Sequence, residues 1–121
     1  MIEEISKMEL GHIAIIGGGP GGLILARILQ LKGVDVTIYE RESSMGVRCQ
    51  GGTLDLHVKS GQHALQVAQL FDKFQVVCRP EGQDLRLVDK SGNVQYEKVS
   101  NGTDFDRPEI DRGDLRKLLL D

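Results

Sequence analysis

The segment His12–Arg41 constrains the fold of this chain more than any other. It begins with a short apolar run, His12–Ile16, which leads through a glycine cluster into a longer apolar stretch, Pro20–Leu31. Gly33 ends that stretch, and a second run rich in β-branched residues, Val34–Tyr39, follows. Short apolar runs bounded by glycine favour strands, whereas the longer stretch favours a helix. The segment therefore predicts one βαβ unit.

The predicted turn of this unit carries the spacing Gly17-x-Gly19-x-x-Gly22. Gly17 permits the sharp turn, Gly19 allows a pyrophosphate to approach the backbone, and Gly22 lets the helix pack closely on the strand. The N-terminus of the helix presents free N–H groups and a positive dipole to phosphates. Glu40 follows Gly22 by 40 − 22 = 18 residues, close to the roughly 20 residues that separate the motif from a ribose-binding acid. These features predict a dinucleotide site.

The rest of the chain alternates between helical and strand patterns, so we expect a mixed α/β fold. Asp111 and Asp114 precede an apolar stretch, which predicts an aspartate N-cap for the last helix. The other predicted elements are a polar loop at Arg41–Gly52, a short strand at Thr53–His57, a helix at Ser60–Phe74, a hairpin about Ser91-Gly92-Asn93 and a polar connector at Asn101–Pro108.

Composition excludes several classes of function. The 121 residues carry a net charge of −3 with a pI near 5.6, so no basic field is available for nucleic acid or anionic membrane. The chain has no apolar run of about 18 residues and no signal peptide, which predicts a cytoplasmic protein. Cys49 and Cys78 are expected to be free thiols. The three histidines follow no metal-ligand spacing, and we predict no metal site.

At the level of whole segments the chain resembles the group A flavoprotein monooxygenases, and within them the flavin-dependent tetracycline monooxygenases. The resemblance implies an α/β, Rossmann-like FAD-binding domain of the glutathione-reductase type, with three layers and incomplete in this chain. The segments that carry it are Ile15–Leu23 (IIGGGPGGL), Val36–Arg41 (VTIYER), Gly51–His57 (GGTLDLH), Ser60–Gln62 (SGQ) and Pro108–Leu119 (PEIDRGDLRKLL).

The same resemblance implies cofactors and site residues. In this family NADPH reduces FAD, dioxygen adds to form a C4a-hydroperoxyflavin, and a substrate is hydroxylated, which inactivates tetracyclines. No residue of this chain is singled out as catalytic. The implied cofactor positions are Gly17, Gly19 and Gly22 at the FAD pyrophosphate, Glu40 at the adenosine ribose, Arg41 beside the adenine, Arg48 at a position linked to NADPH, and Asp55 and Arg112 at positions that contact FAD.

Two parts of the family's pattern are absent from the chain: a downstream Gly-Asp flavin segment and the substrate-binding sheet. We therefore expect residues 1–121 to form the N-terminal portion of an FAD-binding domain, inactive alone. The first strand would then have an open edge, and we expect the remainder of the protein, or a second copy, to pack there. Three alternatives stay open: another aromatic-ring hydroxylase, a non-catalytic nucleotide-binding fragment, and an NAD(P)-dependent oxidoreductase.

Overall fold

The computed structural model describes residues 11–44 and 51–121. The elements, in chain order, are β1 (Ile13–Ile16), α1 (Pro20–Leu31), β2 (Val36–Tyr39), β3 (Thr53–Asp55), a π-helical turn (Val58–Gln62), α2 (His63–Val67), α3 (Phe71–Val77), a 3₁₀ turn (Pro80–Gln83), β4 (Leu85–Val88), β5 (Val94–Lys98), β6 (Glu109–Asp111) and α4 (Arg112–Leu120).

The βαβ unit is confirmed. Strands β1 and β2 pair in parallel, from Ile13 opposite Val36 to Ile16 opposite Tyr39, and α1 has the predicted bounds. The helix ends where Gly33 adopts a positive φ of 76°, a conformation that favours glycine. Parallel strands joined through a helix are the unit of α/β folds, so the predicted α/β class is confirmed.

Two antiparallel pairs accompany this unit. Strands β4 and β5 form the predicted hairpin, and β3 pairs with β6, Leu54 lying opposite Ile110. Strand β6 was not predicted, because three residues that run directly into a helix show no alternation of their own. In the described ranges, each of the three sheets has two strands.

The single helix predicted over Ser60–Phe74 is wrong, since α2 ends at Val67 and α3 starts at Phe71. Gln69 has a φ of 58°, the Leu70 N–H donates to the Leu65 carbonyl at 2.9 Å, and the Gln69 N–H donates to Gln66 at 3.0 Å. This pattern is a Schellman motif, in which the chain leaves the helix through one left-handed residue. The break was missed because glutamine occupies the position that glycine usually takes.

The main core lies between the helices and β6. Its buried members are Leu23, Leu65, Ala68, Leu70, Phe74, Ile110, Leu115, Leu118 and Leu119. In helix α1 only Leu23 and Ala26 are buried, while Leu25 and Leu31 are exposed. In the part of the chain that the structure describes, no helix is both long enough and apolar enough to cross a membrane.

Candidate nucleotide-binding site

In the turn between β1 and α1 the backbone lies close to β2 on one side and to the first turn of α1 on the other. Gly17 has a φ of 106°, and its N–H donates to the Tyr39 carbonyl at 2.8 Å, which ties the turn to β2. A Cβ on Gly22 would lie 2.1 Å from the Gly17 carbonyl oxygen, closer than any side chain tolerates. The mechanical reasons predicted for Gly17 and Gly22 are therefore confirmed.

The N-terminus of α1 is open. Gly19 is its N-cap, no side chain caps it, Pro20 follows, and its first turn holds no acidic residue. The first N–H groups of any helix lack acceptors within the helix, and together with the helix dipole they favour an anion. A Cβ on Gly19 would meet no atom within 4 Å, so the space in front of the turn is free. The residues present fit a pyrophosphate.

Glu40 lies directly against this turn. Its Oε2 accepts a hydrogen bond from the Gly18 N–H at 2.6 Å, and its Oε1 accepts one from the Glu42 N–H at 2.9 Å. These two backbone bonds, that of Glu42 first, lower the pKa of the Glu40 carboxyl, because both favour the ionised form. Each oxygen keeps further lone-pair capacity, so Glu40 has the chemistry to accept bonds from ribose hydroxyls.

Arg116, on α4, is a residue of this site that sequence reasoning missed. Its side chain is 7% exposed, its Nη1 lies 3.2 Å from Glu42 Oε2, and its Nη2 lies 3.8 Å from Glu40 Oε2. The sequence neighbours of Arg116 could have indicated its role. Leu115, Leu118 and Leu119 mark the core face of α4, and an arginine that is buried beside that face needs a partner.

The remaining predicted site residues are more dispersed. Arg41 is exposed beside Glu40, whereas Arg48, like Cys49, lies outside the described residues. Asp55 Oδ2 is 3.7 Å from Arg107 Nη1. The backbone N–H of Arg112 donates to the Gly52 carbonyl at 3.3 Å, and its side chain is exposed.

The register of β3 and β6 separates two of these residues. Thr53 lies opposite Asp111 and Asp55 opposite Glu109, so Arg112, which follows Asp111, lies at the end of the ladder away from Asp55. The structure brings Glu40 to the glycine turn but does not bring Asp55 and Arg112 together.

The predicted aspartate cap of α4 is half right. Asp111 occupies the N-cap position, but its side chain makes no capping bond. Its two oxygens instead accept bonds of 3.0 and 3.1 Å from the guanidinium of Arg79. These bonds lower the pKa of the Asp111 carboxyl. A bidentate, charge-assisted pair is stronger than a bond to one backbone N–H, which explains the choice of partner.

Two buried glutamines hold the connector beside β6, and neither was predicted. Gln62 Nε2 donates to the carbonyls of Leu56 and Phe105 at 2.8 Å each. Gln83 Oε1 accepts a bond of 2.8 Å from the Arg107 N–H, and its Nε2 donates to the Asp104 carbonyl. The connector is thus held by side-chain bonds to its backbone, which no local pattern in the sequence predicts.

Among residues 11–44 and 51–121, no three His, Cys, Asp or Glu side chains form a group that could hold a metal ion. Cys78 is a partly buried free thiol, and desolvation by burial raises its pKa. Its low exposure and raised pKa both oppose reactivity.

The glycine turn and Glu40 fall within residues 15–75, which match the family of NAD(P)-binding Rossmann-like domains. The chain belongs to that family. In sequence it is 35% identical over 113 residues to monooxygenase penA of Penicillium thymicola, and this match covers 89% of this chain and 25% of that protein.

Solved structures agree with the sequence match. One neighbour, from Photorhabdus luminescens, is described as an FAD-containing monooxygenase. It has a TM-score of 0.67 and 29% sequence identity, and the match covers 90% of this chain and 27% of the neighbour's chain. Tetracycline destructase Tet(55) has a TM-score of 0.65 and 26% sequence identity, and the match covers 93% of this chain and 27% of the destructase chain. The resemblance to FAD-dependent monooxygenases is confirmed. The chain spans about a quarter of the length of these relatives.

Proposed function

We propose that this chain binds the adenosine diphosphate half of FAD, as the N-terminal part of the FAD-binding domain of an NAD(P)H-dependent monooxygenase. The observation that carries the proposal is the open N-terminus of α1 with Glu40 held beside it at 2.6 Å from the Gly18 nitrogen. An anion site and a carboxylate acceptor, side by side, match the pyrophosphate and the ribose of a dinucleotide. The neighbour from Photorhabdus luminescens, which is described as FAD-containing, supports FAD as that dinucleotide.

In this proposal the residues of the chain bind and orient, and FAD supplies the activation of dioxygen when it is bound. The pyrophosphate would lie on the turn formed by Gly17, Gly19 and Gly22. Glu40 would accept the ribose hydroxyls, with Arg41 beside the adenine. The proposed contacts beyond the adenosine end are Asp55 and Arg112 with FAD, and Arg48 with NADPH.

The binding proposal is tested by titrating FAD into the native protein that contains this chain. Glu40→Gln replaces one acceptor oxygen by an NH₂ group, which cannot accept a bond from Gly18 or from ribose. We expect FAD to bind about tenfold more weakly or worse, as loss of a hydrogen bond to a charged group implies. Glu97→Gln, a carboxylate in the hairpin that pairs with Arg86, is the matched control. Equal Kd values for both variants would remove Glu40 from the site.

We also propose that the substrate is a tetracycline-like or other aromatic ring compound. Similarity to tetracycline destructase Tet(55) supports this choice. The test is oxidation of NADPH and of NADH by the flavin-loaded protein, with and without tetracycline and, separately, a simple phenol. Stimulation by tetracycline with a product 16 Da heavier, the mass of one oxygen atom, supports the tetracycline class. Stimulation by the phenol alone supports the aromatic hydroxylase, and stimulation by neither refutes the proposal.

A second candidate is an NAD(P)-dependent oxidoreductase, or a non-catalytic module that binds the same nucleotide. The family match, which is to NAD(P)-binding Rossmann-like domains, favours this alternative. The two candidates differ in the preferred ligand, because the glycine turn and the acid serve both dinucleotides. Competition between FAD and NADH for the site decides between them: retention of yellow flavin during purification supports the first candidate, and tighter binding of NADH the second.

The partner that we propose is the remainder of the same protein, or a second copy, packed on the free edge of β1. In the described part of the chain β1 pairs only with β2, and Ile16 is 82% exposed. An unpaired edge with apolar side chains invites association. Light scattering on the 121-residue chain should find an associated species, and a cooperatively folded monomer that binds no hydrophobic dye would contradict this proposal.

A further inference from the structure

We infer that Arg116 is a positioning residue for the adenosine end of the nucleotide site, acting through the Glu40 and Glu42 carboxylates. The inference rests on the proposed function, because it concerns how the ribose acceptor is held. It adds a residue from α4, 74 positions from Glu42 in the chain, to an adenosine end that is otherwise built from the turn between β1 and α1 and from the residues that follow β2.

The first support is that Arg116 is buried together with its partner. Its side chain is 7% exposed and that of Glu42 is 10% exposed, so this is not a solvated surface pair. The Nη1 group donates to Glu42 Oε2 at 3.2 Å. Burying a guanidinium is costly unless it is paired, and the pair therefore fixes where the end of β2 lies relative to α4.

The second support is that Arg116 reaches Glu40 by two routes. Directly, its Nη2 lies 3.8 Å from Glu40 Oε2, the oxygen that also accepts the Gly18 N–H. Indirectly, it holds the side chain of Glu42, whose backbone N–H donates to Glu40 Oε1 at 2.9 Å. Both oxygens of Glu40 are thus oriented by groups that depend on Arg116 or on the turn.

The third support is the balance of charge. Glu40 and Glu42 place two negative charges beside the site proposed for a diphosphate, and Arg116 offsets one of them. Like charges that lie close together repel one another appreciably at the intermediate dielectric of a partly buried site. Without Arg116, phosphates would meet more negative charge and the ribose acceptor would be less well oriented.

The experiment compares variants of the native protein that contains this chain by their Kd for FAD and for ADP. Arg116→Met keeps much of the aliphatic stem but removes the charge, and we expect about tenfold weaker binding of both ligands. Arg116→Lys keeps the charge without the fork that reaches two carboxylates, and should bind with an intermediate Kd. Leu118→Ala, on the same buried face of α4, is the control for lost packing: its Tm should fall while its Kd stays unchanged.

A double-mutant cycle separates positioning from a general structural role. If Arg116 acts through Glu40, the pair Glu40→Gln with Arg116→Met should bind FAD no more weakly than the worse single variant, because interacting residues are not additive. Additive losses, an unchanged Kd for Arg116→Met, or an equal rise in Kd for Leu118→Ala would overturn the inference. Should Arg116→Met fail to fold, an unchanged Kd for Arg116→Lys would overturn it, and a raised Kd at unchanged Tm would support it.

These outcomes are distinct from failure of the proposed function. If the wild-type protein binds neither FAD nor ADP, the proposed function fails and the inference falls with it. If the wild-type protein binds both and the Arg116 variants bind equally well, only the inference fails.

Discussion

Substitution of Gly22 by alanine tests the packing on which the nucleotide site depends. A Cβ at this position would lie 2.1 Å from the Gly17 carbonyl oxygen and 3.3 Å from Ile15 Cγ2. Ordinary van der Waals contact begins near 3.4 Å, so the oxygen is closer by 3.4 − 2.1 = 1.3 Å. That oxygen belongs to the backbone of the turn and cannot rotate away as a side chain can. Helix α1 would have to move off β1, or the turn would have to distort.

The energetic consequence has two opposing parts. Alanine gains roughly 1 kcal/mol over glycine in helix propensity, whereas forcing a methyl group into a packed site costs about 1–3 kcal/mol, and more where backbone must shift. Because the contact here is with backbone, we expect the steric cost to win, with a net loss of about 2 kcal/mol. Gly21→Ala is the matched control: a Cβ on Gly21 meets nothing within 4 Å, so only the propensity gain should remain.

The assay is urea unfolding of both variants in the native protein that contains this chain, without added nucleotide. We expect the midpoint to fall for Gly22→Ala and to stay level or rise for Gly21→Ala, at an unchanged m-value. FAD binding should follow the same order, since the displaced helix presents its N–H groups in the wrong place. Equal stability of the two variants would refute the reasoning, because it would mean that the turn relaxes freely.

Three further changes test other parts of the structure. Gln62→Leu should lower the free energy of unfolding in urea by about 1–3 kcal/mol, because it leaves the half-buried carbonyls of Leu56 and Phe105 without this donor. Exposed Gln66→Leu should change stability by less than about 0.5 kcal/mol. Gln69→Gly should stabilise the protein by about 1 kcal/mol, because it relieves a left-handed conformation; a loss in the same assay would contradict this. The lowered pKa of Glu40 means that its contribution to folding is present above the ordinary value of 4.5 and is lost as the pH falls through the lower folded value. The unfolding free energies of wild type and Glu40→Gln should therefore converge in acid, and a constant difference would contradict the lowered pKa.

The sequence allowed the βαβ unit to be predicted because its determinants are local. Pro20 suits the first helical position and Gly33 suits the exit, so α1 runs between them as predicted. The same holds for the hairpin, where Gly92 adopts a φ of 85° in the turn. In each case one residue type with an unusual backbone preference marks the boundary, and no distant contact is needed.

Elements that depend on distant contacts were not predicted. Strand β6 forms because it pairs with β3, more than fifty residues earlier in the chain. The Asp111 side chain bonds to Arg79 instead of capping α4. The helix break at Gln69 is local, but burial of Leu70 favours it, since no glycine is present there. Leu65 and Leu70 can both lie in the core only if the helix stops between them. Tertiary burial thus outweighed the preference of glutamine for a regular helix.

The contact between Glu40 and Gly18 shows why the site needs both parts of the chain at once. A Cβ on Gly18, which the three-glycine spacing leaves unspecified, would lie 2.9 Å from Glu40 Oε2 and 3.3 Å from its Cβ. A side chain at residue 18 would therefore have to displace the Glu40 carboxylate, which accepts the Gly18 N–H at 2.6 Å. Arg116 then approaches the same oxygen from α4. The position of the Glu40 carboxylate thus depends on Gly18 and on Arg116 together. The spacing of the three motif glycines does not specify either residue.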